Sequence, residues 1–338
     1  MTFRMRARHA MPAAASFVAL LLPAPMPALA SSPAGHKTEV VLLGTKGGPT
    51  ADAQRSEPAT LLLVDGAPYL VDVGEGTARQ LAAVGLAPPA IRTVFITHHH
   101  LDHTAGLEPL MALTWIGAGL RGPAAPPMKI YGPPATQELV EAALSYISVS
   151  ERIFRAGIPS LPKAGSLFAA HELDGRGGIA LDDGRVTVRS MENSHFGHAS
   201  TGRTGARDLS LAYRFETAAG AIVITGDTGP SDALALFAKG ADVLVSEVYV
   251  APQARPGASP VAAGSVAAQL AEHMNQEHLT PENVARLALS AGVKKLVLTH
   301  LVVPDDPAIA AKLRRRIGRI YKGEIIVGRD LERIALQR

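Results

Sequence analysis

Residues Thr97 to His103 read Thr-His-His-His-Leu-Asp-His. Imidazole and carboxylate are the ligands that a borderline cation such as zinc accepts, at roughly 2.0–2.2 Å. His98, His100, Asp102 and His103 lie directly after an apolar run, 91–96. If 91–97 is a strand, alternation sends His98 and His100 to one side and His99 to the other. Asp102 and His103 follow in the turn, placed to hold a second ion beside the first. A solvated polar loop would neither end an apolar strand nor alternate as a ligand set does.

This His-x-His-x-Asp-His pattern resembles the signature of the metallo-β-lactamase superfamily, an α/β hydrolase fold built as an αββα four-layer sandwich. Thr225-Gly226-Asp227-Thr228 looks like that family's strand-end Gly-Asp, Val297-Leu298-Thr299-His300 like its late strand-end histidine, and Glu192-Asn193-Ser194-His195 supplies the remaining histidine. The resemblance implies one metal on His98, His100 and His195, a second on Asp102, His103 and His300, and Asp227 as the bridge. That is two Zn2+ per chain, though iron or manganese suits the same ligands. His198 rivals His195; His195 is preferred because it follows a strand, 186–191, after a short turn. His36 and His171 have no motif context and read as surface residues. His273 sits in a helical stretch and reads as solvated or capping.

Further stretches point to the ribonuclease Z-like and arylsulfatase-like branch. Val71-Asp72-Val73-Gly74-Glu75-Gly76-Thr77 resembles its Asp-x-Gly-Glu-Gly-Thr segment, and Val41-Leu42-Leu43-Gly44-Thr45 its opening strand and loop. Glu277-His278-Leu279-Thr280-Pro281 resembles the His-Ser/Thr-Thr segment whose histidine stands near the leaving group, with Leu279 departing from the usual small polar residue. On this mapping Asp102 and Asp227 orient the attacking hydroxide and His278 protonates the departing oxygen. Glu247 holds His278, or is an exposed strand-end acid.

The best-known enzymes of that branch trim the 3′ end of precursor tRNA. Asp227 follows His195 by only 32 positions (227 − 195), which leaves no room for the arm that grips tRNA in such relatives. The expectation is therefore an exported dinuclear zinc hydrolase of small sulfate or phosphate esters, with nucleic acid not expected as a partner and a homodimer left open. A ribonuclease Z-type tRNA endonuclease and a non-catalytic binding module of the same fold are the alternatives. The complete ligand set argues against the second. A β-lactamase is disfavoured because those enzymes carry Cys or Ser where Asp227 stands.

The elements that must position these residues alternate along the chain. Strands are expected at 39–43, 60–64, 69–73, 91–97, 186–191, 209–217, 221–225, 241–248, 295–299 and 324–327. Helices are expected at 77–84, 135–155, 281–291 and 307–321, with Thr280 capping the third and Pro281 at its first position. No Ser/Pro-rich linker divides the chain, so 31–338 reads as one domain of two sheets with helices outside. Apolar residues make up 47% and charged residues 19%, enough for a large core.

Lys and Arg number 33 against 30 Asp and Glu, but Arg4, Arg6 and Arg8 account for the excess. They begin a leader of basic start, apolar run 13–22 and Ala28-Leu29-Ala30, so residues 1–30 read as a secretory signal peptide and the mature chain as periplasmic or secreted. Beyond the leader no net positive field remains to collect phosphates. The basic run 312–319 has the spacing of a solvated helix face. There is no Cys, hence no disulfide, and no later apolar stretch reaches the ~20 residues of a membrane span.

Overall fold

A computed structural model of the chain describes residues 36–121, 126–197, 208–251, 262, 264–303 and 306–337. The leader read over 1–30 and the rival ligand His198 lie outside the described residues. Among the described residues fourteen strands form two seven-stranded sheets. The first contains β1 (Lys37–Gly44), β2 (Ala59–Val64), β3 (Ala67–Val71), β4 (Thr93–Phe95), β5 (Met128–Gly132) and β6 (Phe168–Glu172). The second contains β7 (Gly178–Asp182), β8 (Val186–Glu192), β9 (Leu211–Thr217), β10 (Gly220–Ile224), β11 (Val243–Val248), β12 (Lys295–Leu301) and β13 (Glu324–Val327). The last strand, β14 (Glu332–Gln337), returns to the first sheet and pairs antiparallel with β1.

Strand alternation explains the layering. In β1, Val40 and Leu42 face the core between the sheets, where they join Leu62, Val71 and Phe95 of the first sheet and Val188, Tyr213, Phe215, Ile222, Val245 and Val297 of the second. Their neighbours Val41 and Leu43 face the other way, under α1 (Thr77–Ala83), α3 (Leu107–Arg121) and α4 (Thr136–Gly157). On the far side, Val223, Leu244, Leu296 and Leu298 pack beneath α5 (Asp232–Phe237), α7 (Pro281–Ala291) and α8 (Pro307–Ile317). A strand covered on both faces reads as an unbroken apolar run, which is why Val40-Val41-Leu42-Leu43 shows no polar alternation. The layers are helix, sheet, sheet, helix, as the sequence led us to expect.

Strands β3 to β6 run parallel, as do β10 to β13. Parallel strands deliver their carboxyl ends to one edge of a sheet, where α/β folds gather their ligand-binding residues. Here those ends lead into Asp72, the 96–103 segment, Asp227 and His300.

Some boundaries differ from expectation for local reasons. The strand expected over 91–97 is paired only over Thr93–Phe95. Beyond it the Thr97 N–H turns to donate to Asp72 Oδ1 at 2.7 Å instead of to a neighbouring strand. The helix expected to run to 321 ends at Ile317, after which Tyr321 donates its hydroxyl to the Val293 carbonyl. The helix at Pro281–Ala291 matches, with Thr280 Oγ1 accepting the Asn283 N–H. Among the described residues no helix is long and apolar enough to cross a membrane.

Asp330 ties three otherwise separate segments together. Its Oδ1 accepts from the Thr45 N–H and hydroxyl at 2.9 and 2.8 Å, and its Oδ2 from the Ser56 N–H and Gln80 Nε2, both at 2.7 Å. Thr45, Ser56 and Gln80 are buried. Each donor left without a partner costs about 1–3 kcal/mol. Asp330→Ala is expected to lower unfolding stability by about 2–4 kcal/mol, and Asp330→Asn, which keeps acceptor capacity, by less. Urea unfolding measures this; a midpoint equal to that of the parent protein would refute it.

Candidate metal centre

Six strand ends and the turns after them converge on one buried cluster. His98, His100, His195 and Asp227 each offer a ligand atom such that all four lie within 4.8 Å of one another, and so do Asp102, His103 and His300. Asp227, Glu247, His278 and His300 form a third such group. Asp227 Oδ2 stands 3.9 Å from His98 Nε2, 3.4 Å from His103 Nε2 and 3.0 Å from His300 Nε2. Among the described residues it is the carboxylate that stands beside donors of both groups.

The backbone is bent where these side chains are presented. β12 pairs Thr299 with Glu247 and Leu301 with Val248, so His300 is the extra residue of a bulge, and its φ is +51°. Bulges re-aim a side chain without ending the strand. Asp72 adopts φ +60° at the end of β3. Gly226 adopts φ +59°, and a Cβ there would stand 2.9 Å from the Leu211 carbonyl oxygen. Only glycine turns the chain so close to that strand and releases Asp227 into the cluster.

The imidazoles are held from behind. His103 Nδ1 donates to Asp72 Oδ2 at 2.9 Å. The Thr97 hydroxyl donates to the same oxygen at 2.9 Å, so at 3.0 Å it accepts from His98 Nδ1. His195 Nδ1 donates to the Glu277 carbonyl at 3.0 Å. Each ring thereby turns Nε2 inward, the arrangement found behind metal-binding histidines. Asp102 Oδ2 accepts from the Gly48 N–H at 2.9 Å.

His278 and Glu247 form a separate pair. His278 Nδ1 donates to Glu247 Oε2 at 2.6 Å, while Glu247 Oε1 accepts from the Thr228 N–H at 2.6 Å. Both are buried, so Glu247 is not an exposed strand-end acid. Burial raises the pKa of Glu247. For His278 burial opposes the imidazolium, but the adjacent Glu247 carboxylate outweighs it and raises the pKa. The pair therefore holds a proton close to Asp227, whose Oδ2 is 4.0 Å from His278 Nδ1.

Whether the cluster fits metal ions is answered by its unpartnered atoms. His98 Nε2, His103 Nε2 and Asp227 Oδ1 are buried and make no hydrogen bond. Buried polar atoms normally find a partner. Three that converge without one, on nitrogen and carboxylate donors, fit ions of the zinc kind.

Two residues were misread or overlooked in the sequence. Asp72 orients His103 and Thr97 together, a role its motif does not announce; the available signal is an acid between Val71 and Val73 in a buried strand end. His273, expected to be solvated or capping, is instead half-buried beside the cluster, its ring 5.8 Å from those of both His195 and His278. His36 pairs with Asp65 at the surface, and His171 is exposed while stacking on Tyr131.

The profile of the family described as "Beta-lactamase superfamily domain" matches residues 54–301. A protein of Mycobacterium sp. (strain KMS) named Ribonuclease Z is 33% identical over 302 residues, 88% of this chain and 95% of that protein. A Mycobacterium bovis protein of the same name is 31% identical over 298 residues, 88% and 97%. Among solved structures, the metallo-β-lactamase fold protein YhfI from Bacillus subtilis superposes with TM-score 0.63 at 19% identity, covering 89% of this chain and 99% of that one. The short form of human tRNase Z gives 0.62 at 21%, covering 88% and 99%. The chain belongs to the metallo-β-lactamase superfamily and is a metal-dependent hydrolase of ester bonds.

Asp72→Ala strips the partners from His103 Nδ1, the Thr97 N–H and the Thr97 hydroxyl at once. Removing such an orienting carboxylate is expected to weaken metal retention by about 10–100-fold. Competition with a chelator measures it; retention equal to that of the parent protein would exclude the orienting role.

Proposed function

We propose that this metallo-β-lactamase superfamily hydrolase is a dinuclear phosphodiesterase of ribonuclease Z type, acting on RNA in preference to sulfate esters. The observation behind the reading is Asp227 flanked by two donor groups, with the Glu247–His278 pair beside it. The names of its full-length relatives favour phosphodiesters of RNA over sulfate esters. They weigh against the expectation that nucleic acid is no partner, and support the tRNA-trimming alternative over an arylsulfatase. The short interval between His195 and Asp227 favours substrates gripped near the scissile bond.

In this reading His98, His100, His195 and Asp227 hold one divalent ion, and Asp102, His103, His300 and Asp227 the other, zinc being the first choice for such donors. When bound, paired ions supply hydroxide near neutral pH and neutralise charge on the non-bridging phosphoryl oxygens. The protein contributes position and protons. Asp102, fixed by the Gly48 N–H, accepts a hydrogen bond from the attacking water and aims it. His278, as the imidazolium that the Glu247 carboxylate favours, gives its Nε2 proton to the departing oxygen while Nδ1–H stays on Glu247. Residues 1–30 serve in this reading as a secretory leader: the protein purified from its native host should begin near residue 31, and an N-terminus at Met1 would exclude it.

A panel of precursor tRNA, an activated aryl phosphodiester and an aryl sulfate tests the assignment, with metal content measured in each preparation. We expect turnover of the phosphodiester substrates, little of the sulfate, close to two ions per chain, and loss of at least one ion in Asp227→Ala. Preferred turnover of the aryl sulfate would overturn it.

His278→Ala separates proton transfer from metal binding. It should keep both ions and lose roughly 10²–10⁴-fold in rate where the leaving oxygen needs a proton. A nitrophenolate departs without help and should lose much less. A uniform loss across a leaving-group series would remove His278 from the chemistry.

A further inference from the structure

The helix α6 (Val266–Glu277) buries none of its residues, yet it presents one imidazole to the cluster. His195, His273 and His278 each offer a ligand atom within 4.8 Å of the others. His273 Nδ1 pairs with Glu277 Oε2 at 2.9 Å, and His278 Nδ1 with Glu247 Oε2 at 2.6 Å. Both rings are thus fixed by a carboxylate on Nδ1, and neither Nε2 hydrogen-bonds to a described residue. That carboxylate–imidazole arrangement is the one that prepares a histidine to bind a metal, and His103 with Asp72 repeats it inside the cluster.

We propose that His273 and His278 form a further, weaker zinc site on the outer side of the dinuclear centre, and that filling it inhibits the enzyme. His195 borders this site, but its Nδ1 is engaged by the Glu277 carbonyl. Its Nε2 faces His100 Nδ1 at 3.2 Å, within the first donor group. The ion therefore takes two nitrogens from the protein and completes its shell with water, which makes it weaker than ions held by three or four side chains. Inhibition follows because Nε2 of His278 cannot hold an ion and deliver a proton together. The site itself stands on geometry alone; its inhibitory effect rests on the role given to His278 above.

The test is a zinc titration of the full chain already carrying its tightly held metal. Bound zinc is followed by equilibrium dialysis, and rate on an activated aryl phosphodiester is followed in parallel. The parent protein should take up one further equivalent as its rate falls. His273→Ala should keep the tight metal and the rate at low zinc, with both curves displaced at least about tenfold to higher zinc. Glu277→Gln, which keeps both imidazoles and the carbonyl to His195, should displace them in the same direction by less. Absence of the further equivalent in the parent protein, or unchanged curves in His273→Ala, would overturn the proposal. If the phosphodiester is not hydrolysed at all, the assigned function fails while dialysis still decides the site.

Discussion

The constraint on which this structure turns is the burial of Asp227. Its side chain is about 3% exposed, and the imidazoles of His98, His103 and His300 stand within 4 Å of it. An isolated carboxylate in such a place is costly by many kcal/mol unless positive charge surrounds it. Burial alone would raise its pKa, but the protonated forms of His300 and His103 hold it well below the ordinary carboxylate range. The same demand for compensating charge is met by divalent ions when they bind. Everything the two sheets do at their carboxyl edges supplies partners to this one group.

Ordinary strand geometry cannot meet that demand. A strand delivers side chains at right angles to the sheet, whereas the cluster needs them pointed along the strand ends. Left-handed backbone at Asp72, Gly226 and His300 supplies the change of direction. Non-glycine residues hold such angles at a cost of about 1–3 kcal/mol each, and only where their surroundings over-determine them. Asp72 is locked by three hydrogen bonds to its carboxylate. His300 is locked by the β12 ladder on either side of its bulge.

What was legible in the sequence follows from the same geometry. Residues 98–103 announce themselves because their ligands are close in the chain, and Gly226-Asp227 and Thr299-His300 because each ends an apolar run. Both-face burial made the central strands visible. The short or mixed strands β5, β6, β7 and β14 are absent from the sequence reading, as are α3, α5 and α6. β7 is mostly exposed, and α6 buries nothing, so neither shows the apolar period that marks an element. The parts of the site that stayed hidden or undecided are contacts across long separations. Asp72 meets His103 over 31 positions, with nothing in the sequence to announce it, and Glu247 meets His278 over 31, one of the two roles the sequence left open for Glu247. No spacing rule brings such pairs together; only the stacking of strand ends does. The alternation argument for His98, His99 and His100 assigned the right sides for a partly wrong reason. The segment lies beyond the paired residues of β4, and His99 is drawn off by Thr136 Oγ1 at 3.0 Å.

The histidines of the cluster are chemically alike, yet they divide by what stands around them. Behind His98 is a hydroxyl and behind His195 a carbonyl, neither of which carries charge. Burial then dominates: the pKa of His98 falls well below normal and that of His195 falls to about 3. Both stay neutral, with a lone pair on Nε2, as a metal ligand must. His278 has a carboxylate behind it, and that charge reverses the effect of burial. A proton is thereby favoured on a ring outside the two donor groups that flank Asp227, which is what the donor role proposed for His278 requires. His103 also backs onto a carboxylate. It differs from His278 in presenting Nε2 to two carboxylates, Asp102 at 3.7 Å and Asp227 at 3.4 Å, so an ion arriving there would meet negative charge on the inner side and could displace the proton. The group behind Nδ1 and the charge before Nε2 together sort ligand from acid. The donors that flank Asp227 and the imidazole placed to give up a proton are therefore different rings of one cluster.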